Sequence, residues 1–347
     1  MTTRPAPVAA RLLAAASFAL RSTLALATLL AFSTPADAQA LRGAGATFPA
    51  PVYEAWADAW ERAGGRPVRY DPVGSGFGVE LITQSHVDFG ASDAPVPADR
   101  LAAAGLLQFP AVIGAVVPVV NIAGIARGQL HLDAATISAI YRGQVTNWRD
   151  PAIAALNPAL QLPDANITVV HRADASGTTY LWSRWLAESD ATWKAQLGTG
   201  TTIAWPTGTE GLGNEGVASL VQRTRAAIGY VAYAYARQHR LSDVALPAHD
   251  GAVVRANHAS FEAAVAAAHW REPADLEQGL TDEPGADSWP IVGASFVLMR
   301  ADTSTASRDV VAFFDWATTS GARIANDLDY VALPADAVRL VKSRIGR

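Results

Sequence analysis

Short runs of β-branched and aromatic residues alternate with helix-periodic stretches along almost the whole chain, and few architectures accommodate that alternation. The stretches 67–70, 87–90, 112–117, 167–170, 228–231 and 291–297 read as strands, with helical patterns between them. Such an order calls for an α/β fold with largely parallel sheets, because parallel strands need long crossovers and amphipathic helices supply them. In residues 51–62, Val52, Trp56 and Trp60 recur every four positions and line one helix face. Asp133 reads as the cap of a helix carrying Ile137, Ile140 and Tyr141 and stopped by Gly143, and a last helix is expected around 310–317. Charged, turn-rich sequence at 271–287 sets the final strand and helix apart, but no single long linker divides the chain. Two lobes are therefore expected from discontinuous pieces, 39–115 with 291–347 in one and 116–290 in the other.

Composition limits where this chain works. Half of the 347 residues are hydrophobic and 17% are charged, which suits a large folded core and not disorder. Arg4 and Arg11 precede an apolar run that ends in Ala36-Asp-Ala38, so residues 1–38 read as a secretory signal peptide cut after Ala38. The run falls short of the roughly 20 apolar residues that span a bilayer. There is no cysteine, hence neither a disulfide framework nor a lipid-modified N-terminal Cys, and the expected home is the periplasm. Without the first 38 residues the chain keeps 24 basic and 31 acidic side chains, a net charge of −7. A protein this acidic is a poor partner for nucleic acid, and any anion it holds must be attracted by local groups.

Four segments place Gly, Ser, Thr or Asp at a strand end just before a helix, where ligands bind in open α/β sheets. In Gly43-Ala-Gly-Ala-Thr47-Phe48-Pro49, glycines allow a tight turn and Thr47 offers a hydroxyl and an amide. In Gly74-Ser75-Gly76-Phe77-Gly78, Ser75 reads as a cap for a helix starting near Val79, a position that also suits an anion. The run Val87–Pro95 sets Asp93 at a strand end, as a helix cap or as an acceptor for an anion that carries a proton. The stretch from His171 to Thr179 holds a guanidinium at Arg172, hydroxyls at Ser176 and Thr178, and Asp174 close enough to orient the arginine. The bland alternatives are capped helix entries and a surface Arg–Asp pair.

Other chemistry has little to stand on. The seven histidines are scattered without metal-ligand spacing, and neither Lys194 nor Lys342 follows a glycine as a phosphate-binding nucleotide loop requires. A secreted phosphatase or other hydrolase using Ser176, with His171 five residues away, is the alternative from a different class, although no G-x-S-x-G is present.

Taken in order, Gly43-Ala-Gly-Ala-Thr-Phe-Pro-Ala-Pro51, Val87-Asp-Phe-Gly-Ala-Ser-Asp-Ala-Pro95, Arg172-Ala-Asp174 and Ser176-Gly-Thr178 resemble the substrate-binding component of phosphate ABC importers, the PstS family. The resemblance covers residues 41–345. It implies a two-lobed periplasmic-binding-protein fold of type II, with inorganic phosphate in the inter-lobe cleft and neither metal nor cofactor. It also implies a monomeric, non-enzymatic protein that serves inner-membrane permease subunits and their ATPase. Thr47, Phe48, Ser75 and Asp93 would bind from one lobe, and Arg172, Ser176, Gly177 and Thr178 from the other. Phe48 and Gly177 would act through backbone N–H groups, and Asp174 would orient Arg172. Two departures stand out: Gly-Ser-Gly-Phe-Gly at 74–78, where the family more often has Gly-Ser-Ser-Gly-Gly, and Ala175 where it has Gly.

Overall fold

The computed structural model describes residues 40–346, so the expected signal peptide lies outside the described residues. Seven strands appear in the first two thirds: β1 (Leu41–Gly45), β2 (Val68–Asp71), β3 (Phe89–Ser92), β4 (Leu106–Val120), β5 (Thr168–Arg172), β6 (Thr209–Gly211) and β7 (Ala227–Ala232). Four two-residue strands follow, β8 (Ser242–Asp243), β9 (Leu246–Pro247), β10 (Val253–Val254) and β11 (Leu280–Thr281), before the long β12 (Ile291–Arg300). The main sheet runs β2-β1-β3-β12-β4-β7-β5-β6, with β11 on β12 and β8 on β4, while β9 and β10 pair separately. Every expected strand is present, but the centre is not parallel. β12 lies antiparallel between β3 and β4, and β4 is antiparallel to β7, so parallel pairing is confined to β1 with β2 and β3 and to β5 with β6 and β7. The sequence reading missed this because β12 arrives from the far end of the chain rather than through a local crossover.

β4 joins the two halves of the sheet. Leu106–Ala115 pair with β12, and from Val116 to Val120 the same strand pairs with β7. All but one of its 15 residues are buried, which explains why an almost continuous apolar run forms one long strand. Pro110 supplies no N–H, and there the ladder slips: Ser295 pairs with Val112 but Phe296 pairs with Pro110, a β-bulge.

The helices follow their apolar faces. Ala50–Arg62 buries Val52, Tyr53 and Trp56, and Gly177–Ser189 buries Leu181, Trp182, Trp185 and Leu186. Asp133 caps Ala134–Tyr141 by accepting from the Thr136 N–H at 2.8 Å, and Gly143 follows at φ 71°. The last expected helix is longer, Thr305–Thr319. Trp56, Trp148, Trp182, Trp185, Trp193 and Trp289 are fully buried. At roughly 150–250 Å² each, such aromatics give a cysteine-free chain a large share of its core.

Candidate functional site

The four strand-end segments meet at the seam between the two sheet halves. In the first, β1 ends at Gly45 and the helix Ala50–Arg62 starts after Pro49. Three successive carbonyls in between are each taken by a tyrosine hydroxyl: Ala46 by Tyr70 at 2.7 Å, Thr47 by Tyr235 at 2.8 Å and Phe48 by Tyr330 at 2.6 Å. Peptide N–H and C=O point to opposite sides of a trans bond, so pinning these carbonyls turns the Thr47 and Phe48 amides the other way. Burial raises all three tyrosine pKa values, which keeps the phenols protonated as donors. The Phe48 ring is buried against Tyr330.

The second segment is not arranged as its sequence suggested. Gly74, at φ 98°, precedes the helix Ser75–Thr83, so Ser75 is the first helical residue and not its cap. The Ser75 hydroxyl instead accepts from the Gly177 N–H at 2.9 Å and from the Asp93 N–H at 3.4 Å. Beside it the Gly76 N–H donates to the Ala175 carbonyl at 3.0 Å. A Cβ on Gly76 would lie 2.5 Å from the Ala175 Cβ, and one on Gly177 would lie 2.5 Å from both Cβ and Oδ2 of Asp93. The seam closes this tightly only because positions 76 and 177 carry no side chain. Ala175 is not at positive φ, so its methyl brings no backbone strain, and Phe77 is half exposed.

In the fourth segment the Arg172 guanidinium is buried and forked onto Asp174. Its Nε donates to Oδ1 at 2.8 Å and its Nη2 to Oδ2, while Nη1 reaches the Thr178 hydroxyl oxygen at 3.3 Å. Burial alone would raise the Asp174 pKa, but the Arg172 bonds and charge and the Gly213 N–H at 3.0 Å hold it below the usual carboxylate range. Ser176 is the N-cap of Gly177–Ser189, its hydroxyl accepting from the Thr179 N–H at 3.1 Å. His171 is not turned to that serine: its ring stacks on Trp205 at 4.9 Å and its Nδ1 faces the Arg172 carbonyl.

Asp93, from the third segment, caps no helix. It is 1% exposed, and its Oδ1 accepts from the Ser295 hydroxyl at 2.8 Å. Burial pushes its carboxyl up to about 7, against the opposing pull of the Ser295 hydrogen bond and the Arg172 charge, with Asp174 adding to the rise. Four helices, Ala50–Arg62, Ser75–Thr83, Gly177–Ser189 and Gly213–Arg223, start at or beside this cluster. Their N-terminal dipole ends, the amides and Arg172 make an acidic protein locally attractive to an anion. Among the described residues no group of His, Asp and Glu is placed to hold a metal ion.

A family profile for the PBP superfamily domain matches residues 31–320. The phosphate-binding protein PstS of Haemophilus influenzae is 45% identical over 311 residues, 89% of this chain and 93% of that one. Its counterpart in Pasteurella multocida is 44% identical over 90% of this chain and 92% of that one. The chain belongs to the PstS family. Among solved structures, a phosphate binding protein from Stenotrophomonas maltophilia matches with a TM-score of 0.69 at 19% identity, covering 88% of this chain and 94% of that one. A phosphate ABC transporter substrate-binding protein from Clostridium perfringens, with bound phosphate, matches at 0.62 and 18%, covering 85% and 100%. At those identities the likeness speaks for the fold.

Within this PstS-family chain the structure gathers Thr47, Phe48, Ser75, Asp93, Arg172, Asp174, Ser176, Gly177 and Thr178, and adds residues that the sequence reading missed. Asn214, wholly buried, donates through Nδ2 to the hydroxyl oxygens of Thr47 at 2.8 Å and Thr178 at 3.1 Å. Gly213-Asn214 sits just after β6 and opens a helix, the same strand-end signal as the other four segments. Ser295 was visible only as one hydroxyl within an apolar strand, and the antiparallel register of β12 on β3, with Phe296 opposite Ser92, brings it level with Asp93. The Tyr230 hydroxyl meets that of Thr179 at 2.7 Å and accepts, more weakly, from the Arg172 N–H at 3.4 Å, and left no local signal at all.

Proposed function

We propose that this chain captures inorganic phosphate in the periplasm, after export through the signal peptide 1–38, and delivers it to an ABC-type importer. Its direct partners are the permease subunits, with their ATPase behind them, and it works as a monomer without breaking a bond in its ligand. Phosphate lies in a cleft between lobe 1, residues 39–115 and 291–347, and lobe 2, residues 116–290. Thr47, Ser75 and Thr178 contribute hydroxyls, Ser176 stands at the helix start, Phe48 contributes its amide, Gly177 contributes its amide once that N–H turns from the Ser75 hydroxyl to the ligand, Arg172 contributes the charge, and Asp174 fixes Arg172. Asp93 is the one acceptor and takes a proton that phosphate still carries. The observation that most supports this reading is that buried carboxyl facing a cluster of donors from both sheet halves. A cluster of donors alone fits any oxyanion; an acceptor among them fits a protonated one. The relatives named PstS point the same way. The Ser176 hydrolase reading has little left, since that hydroxyl caps a helix and His171 is stacked elsewhere.

Calorimetric titration of ligand-stripped protein tests the proposal. Phosphate, and arsenate as its isostere, are expected to bind with one-to-one stoichiometry and sulfate far more weakly. Equal affinity for sulfate and phosphate would contradict the role given to Asp93.

Closure itself makes a second prediction. Phosphate is expected to shrink the radius of gyration seen by small-angle scattering. Gly76→Ala puts a methyl only 2.5 Å from the Ala175 Cβ, well inside van der Waals contact. Overpacking of this kind costs about 1–3 kcal/mol, so phosphate affinity falls by roughly 5- to 150-fold. Because alanine is the better helix former, folding does not suffer. Adding Ala175→Gly to the same chain restores the room, and affinity and closure with it. Wild-type affinity in Gly76→Ala alone would show that the seam does not shut in the bound state.

A further inference from the structure

The orientation of the Asn214 amide is settled by its neighbours. A backbone N–H can only donate, and that of Ala232 lies 2.8 Å from Oδ1, so Oδ1 is the oxygen and Nδ2 carries the two protons. Those protons point at Thr47 Oγ1, at 2.8 Å, and Thr178 Oγ1, at 3.1 Å. Thr47 Oγ1 accepts a second bond from the Asn214 backbone N–H at 3.2 Å, and Thr178 Oγ1 accepts a second from Arg172 Nη1 at 3.3 Å. A hydroxyl oxygen has two acceptor positions and one proton. Both oxygens are thus filled as acceptors, each keeps one proton to give, and neither proton meets a protein acceptor among the hydrogen bonds of the described residues.

We propose that Asn214 is a positioning residue that locks Thr47 and Thr178 into the donor role, one from each side of the seam. A free threonine hydroxyl rotates and can accept as well as donate. Held from behind by one amide, these two present protons only, so they recognise bare oxyanion oxygens and refuse ligand groups that must donate. The division of labour with Asp93 follows: two hydroxyls that cannot accept and one carboxylate that cannot donate when ionised fix which phosphate oxygen bears the proton. This inference rests on the phosphate reading above.

Asn214→Asp keeps the shape and an acceptor for the Ala232 N–H, but an ionised carboxylate draws both threonine protons to itself. Phosphate binding is expected to weaken at least about 100-fold, as when a site built to donate loses its donors and gains a like charge. Affinity within threefold of wild type in a folded Asn214→Asp chain overturns the proposal. A double-mutant cycle separates positioning from packing. Asn214→Ala is expected to weaken binding about 10- to 30-fold in the wild-type background and less than about twofold in a Thr47→Val/Thr178→Val chain, where no hydroxyl remains to position. Additive losses overturn the proposal and make Asn214 a packing residue. If the wild type in the same titrations fails to bind phosphate, the phosphate reading falls and this proposal falls with it; wild-type binding with additive losses removes this proposal alone.

Discussion

Asp93→Asn is expected to let sulfate into a site that otherwise refuses it, while phosphate binding weakens only modestly. The two anions are tetrahedral and nearly equal in size, so shape cannot separate them. Phosphate near neutral pH keeps at least one proton to donate to an ionised carboxylate. Sulfate has none, and its lone pairs would face Asp93 across a buried gap. That rejection takes hold as Asp93 ionises, above its pKa of about 7. In the variant the carboxamide turns its NH₂ toward the ligand and the repulsion is gone. Competition titrations of both anions on both proteins, at one salt and at a pH well above 7 where Asp93 is ionised, measure the effect. If the variant excludes sulfate as firmly as wild type, discrimination lies elsewhere.

The same carboxyl sets a pH dependence. With its pKa pushed to about 7 by burial, Asp93 is largely protonated in acid and can then donate to sulfate. Wild-type sulfate affinity should therefore fall about tenfold per unit as pH rises above 7 and level off below it, whereas Asp93→Asn should be flat. Stability responds too. The native state with its seam shut holds this proton up to about 7 and the unfolded chain only to about 3.8, so the closed state binds more protons in between. Stability is then lost as pH climbs through that window, by at most about 4 kcal/mol, and Asp93→Asn removes the loss. Asp174 works in the opposite sense: its depressed pKa contributes stability above the unfolded value, which disappears as pH falls through the folded one.

Arg172→Ala is expected to weaken phosphate binding by about 2–5 kcal/mol, or roughly 30- to 5,000-fold. Two losses combine. The buried positive charge goes, and the Asp174 carboxylate, 10% exposed, is left unpaired where the anion sits. Adding Asp174→Asn to the same chain is therefore expected to recover part of the affinity, a result that simple loss of packing does not give. Arg172→Lys should also fall short, because a point charge cannot span Thr178 and both oxygens of Asp174 as the fork does. An unchanged dissociation constant in Arg172→Ala would remove the arginine from the site.

Local chemistry was readable in the sequence, and long-range chemistry was not. Asp133 before Ile137, Ile140 and Tyr141 is a cap with a period, and the structure has both. Asp174 two residues from Arg172 is a pair within reach, and it forms. Ser75 shows the limit: the same helix-start chemistry suggested a cap, yet its hydroxyl turns to an amide 102 residues away. Asn214 meets Thr47 across 167 residues and Ser295 meets Asp93 across 202, separations that leave no periodic trace. The antiparallel centre of the sheet was hidden for the same reason, as β12 inserts between strands laid down some 200 residues earlier. Family resemblance supplied the ligand; spacing alone would have left an anion.

The three tyrosines that grip the carbonyls of Ala46, Thr47 and Phe48 come from very different distances along the chain: 24 residues for Tyr70, 188 for Tyr235 and 282 for Tyr330. Synthesis runs from the N-terminus, so the loop that offers the Thr47 and Phe48 amides is made long before its last two clamps. Contacts of such separation carry the largest loop-closure cost and form late. The cradle is thus finished by nearly the last part of the chain to be made, and a molecule truncated before Tyr330 lacks the clamp on the Phe48 carbonyl. Order of assembly, as much as geometry, decides when the amide cradle is complete.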